Sequence, residues 1–339
     1  MKKDYQSKQT IIFKNKPRII GNYALVGKKE GEGNFKNYFD HILKNDLFGQ
    51  KSYEKAEKKM LETAIHGAIS KAKLKPNQID ALIAGDLMNQ IISSSFSARD
   101  LDSAFLGLYG ACSTMAESLI IGGMLIDGKY LKNVACATAS HFSSVEKQYR
   151  YPLELGNQRP PTSQWTVTGS GCTILSQTGS DVFLSSATIG KVTDFGITDA
   201  NNMGAAMAPS AMSTLISHFK ETKTKPSNYD LIVTGDLGKL GSEILNDLME
   251  REGYILGENY NDCGQMIFSK NQRVYQGGSG AGCSASVLNA YIIPKLQKGE
   301  LKKVLFCATG ALLSPLSTQQ GESIPGVCHA VVLEKEDKK

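Results

Sequence analysis

The sequence predicts an α/β protein made of two pseudo-equivalent halves, stacked as a five-layered α-β-α-β-α sandwich. Three observations predict it. First, Lys75-Pro76-Asn77-Gln78-Ile79-Asp80-Ala81-Leu82-Ile83-Ala84-Gly85-Asp86-Leu87 aligns without gaps to Lys225-Pro226-Ser227-Asn228-Tyr229-Asp230-Leu231-Ile232-Val233-Thr234-Gly235-Asp236-Leu237. Second, Gly110-Ala111-Cys112-Ser113 answers Ala281-Gly282-Cys283-Ser284, and Cys136-Ala137-Thr138 answers Cys307-Ala308-Thr309. The order of matches is preserved, which marks an internal repeat. Third, Cys112 to Ile126 and Cys283 to Ile293 have helical length and carry only Glu117 as a charge. A helix apolar all round is buried all round, so two of them make a central layer between two sheets.

Each half reads in the same order. An amphipathic helix comes first: Ala56, Met60, Ala64, Ala68 and Ala72 lie four apart on one face. Pro76 bars its continuation, and Pro226 stands at the matching place. Leu82-Ile83-Ala84 and Ile232-Val233-Thr234 are apolar without alternation, as strands covered on both faces must be, and their alternation with helices implies a mostly parallel sheet. A small-residue helix opening at Cys and a further strand complete the unit. The repeat divides the chain into an N-terminal half, residues 1–185, with the Cys112 helix, and a C-terminal half, residues 186–339. The stretch from Thr188 to Pro209, rich in Gly and Ala, reads as an ordered loop over the cleft between them.

Composition narrows the function. A chain of 339 residues with 41% hydrophobic and 21% charged residues has ordinary globular make-up. Part of its net charge of +5 sits at the ends, in Lys2, Lys3, Lys8, Lys14 and Lys16 and in Lys335, Lys338 and Lys339. No run of Lys and Arg interleaves with aromatics, so nucleic acid is not expected as a partner. The seven cysteines sit mostly among small residues, as buried thiols do, and no CxxC pair suggests zinc. No secretory leader is expected at the N-terminus, and apolar stretches such as Leu119 to Ile126 fall far below the ~20 residues of a membrane span. No EF-hand pattern, nucleotide loop or metal set appears, and no cofactor is expected.

Cys112 follows a Gly-Ala turn and opens a buried helix, where unpaired N–H groups and the macrodipole favour an anion. That position should lower the thiol pKa and make it nucleophilic. The alternative is a small buried Cys packing at a helix start, as Cys283 does in the other half. Asp86 and Asp236 end equivalent strands, where an Asp either caps a neighbouring loop or faces a ligand.

Six further segments join these: Ala84-Gly85-Asp86-Leu87-Met88-Asn89-Gln90, Tyr109-Gly110-Ala111-Cys112-Ser113-Thr114, Arg150-Tyr151-Pro152, Thr166-Val167-Thr168-Gly169-Ser170-Gly171, Gly277-Gly278-Ser279-Gly280 and Ala308-Thr309-Gly310-Ala311-Leu312-Leu313-Ser314-Pro315. On these, and on Gly196-Ile197-Thr198-Asp199, the chain resembles the thiolase superfamily and, within it, the dipicolinate-binding sporulation proteins. The resemblance implies the thiolase fold and a homodimer joined through a strand of the first half's sheet. It also implies binding of dipicolinic acid, taken with calcium as a chelate into the developing spore. It implies membrane partners in the same spore uptake system and a place at the inner spore membrane without spanning it.

The resemblance also implies that Cys112 stands where the superfamily's enzymes keep their nucleophile. Such enzymes of the ketoacyl synthase III type pair it with a His after the strand that here reads Leu231 to Thr234, and with an Asn within the Gly277 to Gly282 region. This chain has Gly235-Asp236-Leu237-Gly238 and no Asn or His in those places. Losing two such partners, each typically worth ~10² to 10⁴ in rate, argues for binding without catalysis. The alternative is acyl transfer by Cys112 with His141 or His329 as base. A pyridine dicarboxylate needs donors at both carboxylates and a flat slot for its ring. Arg150 and Arg159 bracket a loop and can supply the guanidinium fork. The expected ligand set is Cys112, Ser113, Asp86, His141, Arg150, Asp236, Gly278, Ser279 and His329, with no metal ligand and no catalytic residue.

Overall fold

The structure, a computed structural model, describes residues 8–150 and 158–336. Tyr151 and Pro152, which the sequence reading quotes beside Arg150, lie outside the described residues, as do Lys2, Lys3, Lys338 and Lys339.

The first half contributes β1 (Arg18–Val26), β2 (Ala81–Asp86), β3 (Ala104–Gly107), β4 (Asn133–Ser140) and β5 (Gly169–Ser176). The second contributes β6 (Val182–Thr188), β7 (Leu231–Thr234), β8 (Tyr260–Asp262), β9 (Lys303–Ala311) and β10 (Gly326–Lys335). Their spatial orders are β1-β5-β4-β2-β3 and β6-β10-β9-β7-β8, the same topology twice. The sequence divide at residue 185 falls inside β6, the strand that opens the second copy. One pair, Arg18 with Phe183, joins the two sheets into one path.

Four strands of each sheet run the same way, and the fifth is reversed. β5 is antiparallel to both β1 and β4, and β10 to both β6 and β9. The expectation of a mostly parallel sheet therefore holds for direction but not for every ladder. The sheets are mixed, because β5 and β10 return beside the strand before them instead of crossing over.

The helices are α1 (Tyr53–Lys71), α2 (Ile92–Leu101), α3 (Thr114–Asp127), α4 (Phe142–Tyr149), α5 (Met203–Thr222), α6 (Gly238–Arg251), α7 (Ala281–Val287) and α8 (Ile293–Lys298). A π-turn, Leu288–Ile292, joins α7 to α8. Ser52 caps α1 by accepting from Lys55 N at 3.3 Å, and Ala56, Met60, Ala64 and Ala68 are buried, as their spacing predicts. Pro76 and Pro226 each open a short 3-10 turn before a strand. α1 packs on β1, β4 and β5, while α5 packs on β9 and β10, which makes the outer layers.

Between the sheets, α3 touches β2 and β4 of its own half and β9 and β10 of the other; α7 lies against β4 and β5. Met115, Leu119, Ile120, Leu288 and Ile292 are buried there, each contributing roughly 1.5–3 kcal/mol. Gly122 permits the close approach, since a Cβ at that position would lie 2.6 Å from Cys136 Sγ.

The stretch from Thr188 to Pro209 is not loop throughout. α5 begins at Met203, with Asn202 accepting from Ala205 N at 3.4 Å, and runs through Pro209. Pro209 removes one helical N–H, but the Ala- and Met-rich residues around it favour the helix, and the buried face holds it against β10. Among the described residues, no helix is long and apolar enough to cross a membrane.

Candidate functional site

The two halves meet at the turn that carries Cys112. Gly110 and Ala111 lead from β3 into a 3-10 turn, Ala111–Ser113, that runs on into α3. Ala111 sits at φ +50°, a left-handed conformation that costs a residue with a Cβ about 1–2 kcal/mol. Thr114 and Ser113 hold the turn: Thr114 Oγ1 donates to Ala111 O at 2.7 Å, and Ser113 Oγ donates to Gly110 O at 2.6 Å. From the second half, Gly310 on β9 lies so close that a Cβ there would meet Gly110 O at 2.4 Å. Strain and close approach together aim Cys112 into a narrow cavity of about 40 Å³.

Cys112, Ala111, Ser279 and Gly280 form the cavity floor. Leu87, Val145, Met203 and Leu313 give apolar walls. Tyr109 and Tyr149 stand together, hydroxyls 2.9 Å apart, and Tyr149 also donates to Leu87 O at 2.5 Å. Arg150 and Thr166 supply the polar side.

Beneath the floor lies Asp236, 1% exposed. Its Oδ1 accepts from Thr309 Oγ1 at 2.8 Å, and its Oδ2 accepts from Gly280 N at 3.0 Å and Ser279 Oγ at 3.2 Å. The Cys112 thiol lies close enough to the same carboxylate to be coupled to it. Burial first, then the Asp236 charge, push the Cys112 thiol well up, against the smaller opposing pull of Gly280 N–H and Ser279. The sequence expectation of a lowered pKa is therefore corrected: desolvation and an adjacent carboxylate outweigh the helix N-terminus. Burial also raises Asp236 itself, against the pull of its donors.

Of the expected ligand set, Cys112, Arg150 and Ser279 line the cavity. The others are engaged elsewhere. Asp86 caps its own loop, accepting from Met88 N at 3.0 Å and from Ser94 N and Oγ at 2.7 Å each. Ser113 is bound within the Cys112 turn, and Gly278 pairs with Trp165 in a short two-stranded ladder, one residue behind the floor. His141 caps α4, its Nδ1 accepting from Ser143 N at 3.1 Å while Nε2 meets Asp46 O at 2.8 Å. His329 lies within β10 rather than at a strand start, where its Nδ1 accepts from Gly190 N at 3.1 Å and burial pushes it down to about 4. Neither His reaches the cavity, so neither stands as a base for Cys112. The glycine loop is engaged too: Gly280 N–H serves Asp236, and Gly282 N–H serves Ser140 Oγ at 3.0 Å.

The guanidinium groups are the least satisfied part of the site. Arg150, its side chain 11% exposed, pairs with Glu146, whose Oε1 also accepts from Thr166 Oγ1 at 3.2 Å. Arg159 packs over the Trp165 ring at 4.8 Å and feels both Glu146 and Arg150. Burial pushes its pKa down. Among the described residues, Arg150 Nε and all three guanidinium nitrogens of Arg159 are buried without a hydrogen-bond partner. Glu146 thus pairs with Arg150 and reaches Arg159 only through its charge, and an incoming anion would satisfy the nitrogens left over. No group of three or more His, Cys, Asp or Glu that could hold a metal ion occurs among the described residues.

The sequence reading missed Tyr109, Tyr149, Thr309 and Met203. Val145 and Tyr149 lie four apart on α4 with Arg150 next in sequence, a helical spacing that points them to one side. Thr309 stands in the repeated Cys-Ala-Thr.

Comparison with known proteins places this geometry. The family model for stage V sporulation protein AD matches residues 7–334. The stage V sporulation protein AD of Bacillus subtilis strain 168 is 43% identical over 328 residues, covering 97% of each chain. Among solved structures, human mitochondrial 3-ketoacyl-CoA thiolase in complex with CoA matches with TM-score 0.61 at 11% identity, over 98% of this chain and 100% of that one. The 3-oxoacyl-[acyl-carrier-protein] synthase III of Aquifex aeolicus VF5 matches with TM-score 0.58 at 14% identity, over 94% and 99%. The fold is the thiolase fold.

Proposed function

The chain belongs to the stage V sporulation protein AD family, and from that premise we propose that it binds dipicolinic acid, pyridine-2,6-dicarboxylate, without catalysis. In this reading it serves the apparatus that loads dipicolinate with calcium into the developing spore. The observation that carries it is Arg150, which lines a cavity with apolar walls, together with its neighbour Arg159: four of their buried nitrogens lack a hydrogen-bond partner among the described residues. A carboxylate takes the guanidinium fork bidentately, and the ring lies against Leu87, Val145 and Leu313. Calcium enters chelated by the ligand. The second carboxylate faces the Tyr109, Tyr149 and Thr166 hydroxyls.

We further propose a homodimer paired through β3. That strand is a sheet edge, and Phe96, Leu106 and Tyr109 near it are 44%, 45% and 46% exposed. An unpaired, partly apolar edge favours addition of a second strand. Membrane components of the same uptake system are the proposed partners at the inner spore membrane.

Calorimetric titration of the full chain with dipicolinate tests the binding. Saturable heat supports it, and no binding at millimolar ligand sinks it. A second reading, acyl transfer from a thioester to Cys112, is favoured by the strained turn that aims the thiol into the cavity. An acyl adduct on Cys112 after incubation with acyl-CoA, seen by mass spectrometry, would revive it.

A further inference from the structure

We propose that Asp236 is a positioning residue that blocks acyl transfer at Cys112. Its carboxylate fills, from inside the chain, the cradle of donors that an oxyanion would need. The proposal rests on the non-catalytic reading of the cavity, but not on the identity of the ligand.

Comparison of the two halves carries it. Asp86 ends β2, and Asp236 stands at the matching place two residues after the end of β7, so the repeat offers the same job to both. Asp86 does that job, binding the N–H groups of Met88 and Ser94 in the segment that follows it. At Asp236 the job has passed to another residue: Asp262, at the end of β8, accepts from Leu237 N and Gly238 N at 2.9 Å each. Asp236 is thereby released from its own loop and turns to the cleft. There it collects Thr309 Oγ1, Ser279 Oγ and Gly280 N, beside the Cys112 thiol.

Acyl transfer would need the opposite arrangement. A thiolate must form at Cys112, and as its electron pair bonds the substrate carbonyl carbon the negative charge moves to the carbonyl oxygen, which needs free donors within reach. Here the Gly280 N–H and the Ser279 hydroxyl already bond a carboxylate. The titratable groups on which the Asp236 charge bears include Cys112, Cys263, Cys283, Cys328 and Asp262. A thiolate or oxyanion would therefore meet a like charge beside Cys112, and Arg150, the cation that lines the cavity, is already paired with Glu146.

The experiment is alkylation of the full chain with iodoacetamide from pH 6.5 to 9.5, followed cysteine by cysteine by peptide mass spectrometry. The thiolate forms a sulfur–carbon bond, the carbon–iodine bond breaks, iodide leaves, and the thiol proton has gone to solvent. Wild-type Cys112 is expected to titrate above the ordinary free-thiol midpoint of about 8.5. Asp236→Asn is expected to raise the Cys112 rate at pH 8 by at least about tenfold, one unit of midpoint, while Cys136, Cys172 and Cys307, on which the Asp236 charge does not bear, stay unchanged. A uniform rise at all seven free cysteines would show a loosened fold and overturn the proposal, as would an unchanged Cys112. Should the variant not accumulate folded, the wild-type profile decides alone: a Cys112 midpoint at or below that of a free thiol overturns it. Because no dipicolinate is used, this proposal and the binding proposal can fail separately.

Discussion

Gly310 on β9 and Gly110 in the Cys112 turn touch backbone to backbone, and a Cβ on Gly310 would lie 2.4 Å from Gly110 O and 3.3 Å from Cys112 N. The contact crosses from one half of the repeat to the other, so the position of the thiol is set by packing between the halves. Gly310→Ala must push the turn or the strand aside. A loss of roughly 1–3 kcal/mol is expected, as for overpacked interiors, read from the midpoint of urea unfolding at unchanged slope. A variant as stable as the parent would mean that the turn yields freely.

Arg159 should act with opposite signs on stability and binding. Its guanidinium is buried without a hydrogen-bond partner among the described residues, which penalises the unliganded fold. Arg159→Gln is expected to leave the melting temperature unchanged or higher, and to weaken dipicolinate binding by at least about tenfold, the loss of one charge-assisted pair at about 1.5–3 kcal/mol. Melting curves and titration calorimetry on the same preparation check both.

Trp165, the single tryptophan of the chain, reports on that region. It stacks on Phe142 at 4.0 Å, and Lys29 Nζ and the Arg159 guanidinium lie 3.9 and 4.8 Å from its ring. Movement of Arg159 onto a ligand carboxylate is expected to change Trp165 emission saturably. The change should vanish in Arg159→Gln.

Buried carboxyls fix the pH dependence of stability between pH 6.5 and 8. Burial raises Glu30 and Glu57 to about 8 and Asp262 to about 7, above their unfolded values of 4.5, 4.5 and 3.8. For such groups the folded state holds protons that the unfolded state has lost, so stability falls as pH rises toward the folded value. His218 and His329, both pushed down to about 4 from 6.5, act below pH 6.5, where they lose stability as pH falls. Above 6.5 only the carboxyls act, and the melting temperature is expected to decline to pH 8. Glu57→Gln keeps an acceptor for Ser144 Oγ and should flatten that decline. An equal slope in the variant would rule Glu57 out as a source.

Much of this molecule is legible in its sequence, because a repeat exposes its own architecture. The Lys-Pro turns, the all-apolar strands after them and the two central helices, with Glu117 their one charge from Cys112 to Ile126 and Cys283 to Ile293, are enough to place the layers. The reversed strands β5 and β10 are not legible, since a strand's direction is set by what it pairs with and not by its own residues. The Gly- and Ala-rich stretch from Thr188 to Pro209 reads as a loop, whereas the buried face of α5 makes its last part, from Met203, helical. At the site, position was readable and protonation was not. Cys112 at a helix start promises a thiolate, and only the fold brings Asp236 from more than a hundred residues away to hold it as a thiol. His141 and His329 looked available because a sequence does not show that a helix end and Gly190 already hold them.

A crystal structure of the full chain soaked with dipicolinate tests the central claim most directly. The ring is expected in the cavity above Cys112, with one carboxylate on the Arg150 and Arg159 guanidiniums and Cys112 unmodified. Ligand density elsewhere, or a filled cavity with both guanidiniums still around Glu146 alone, would contradict it.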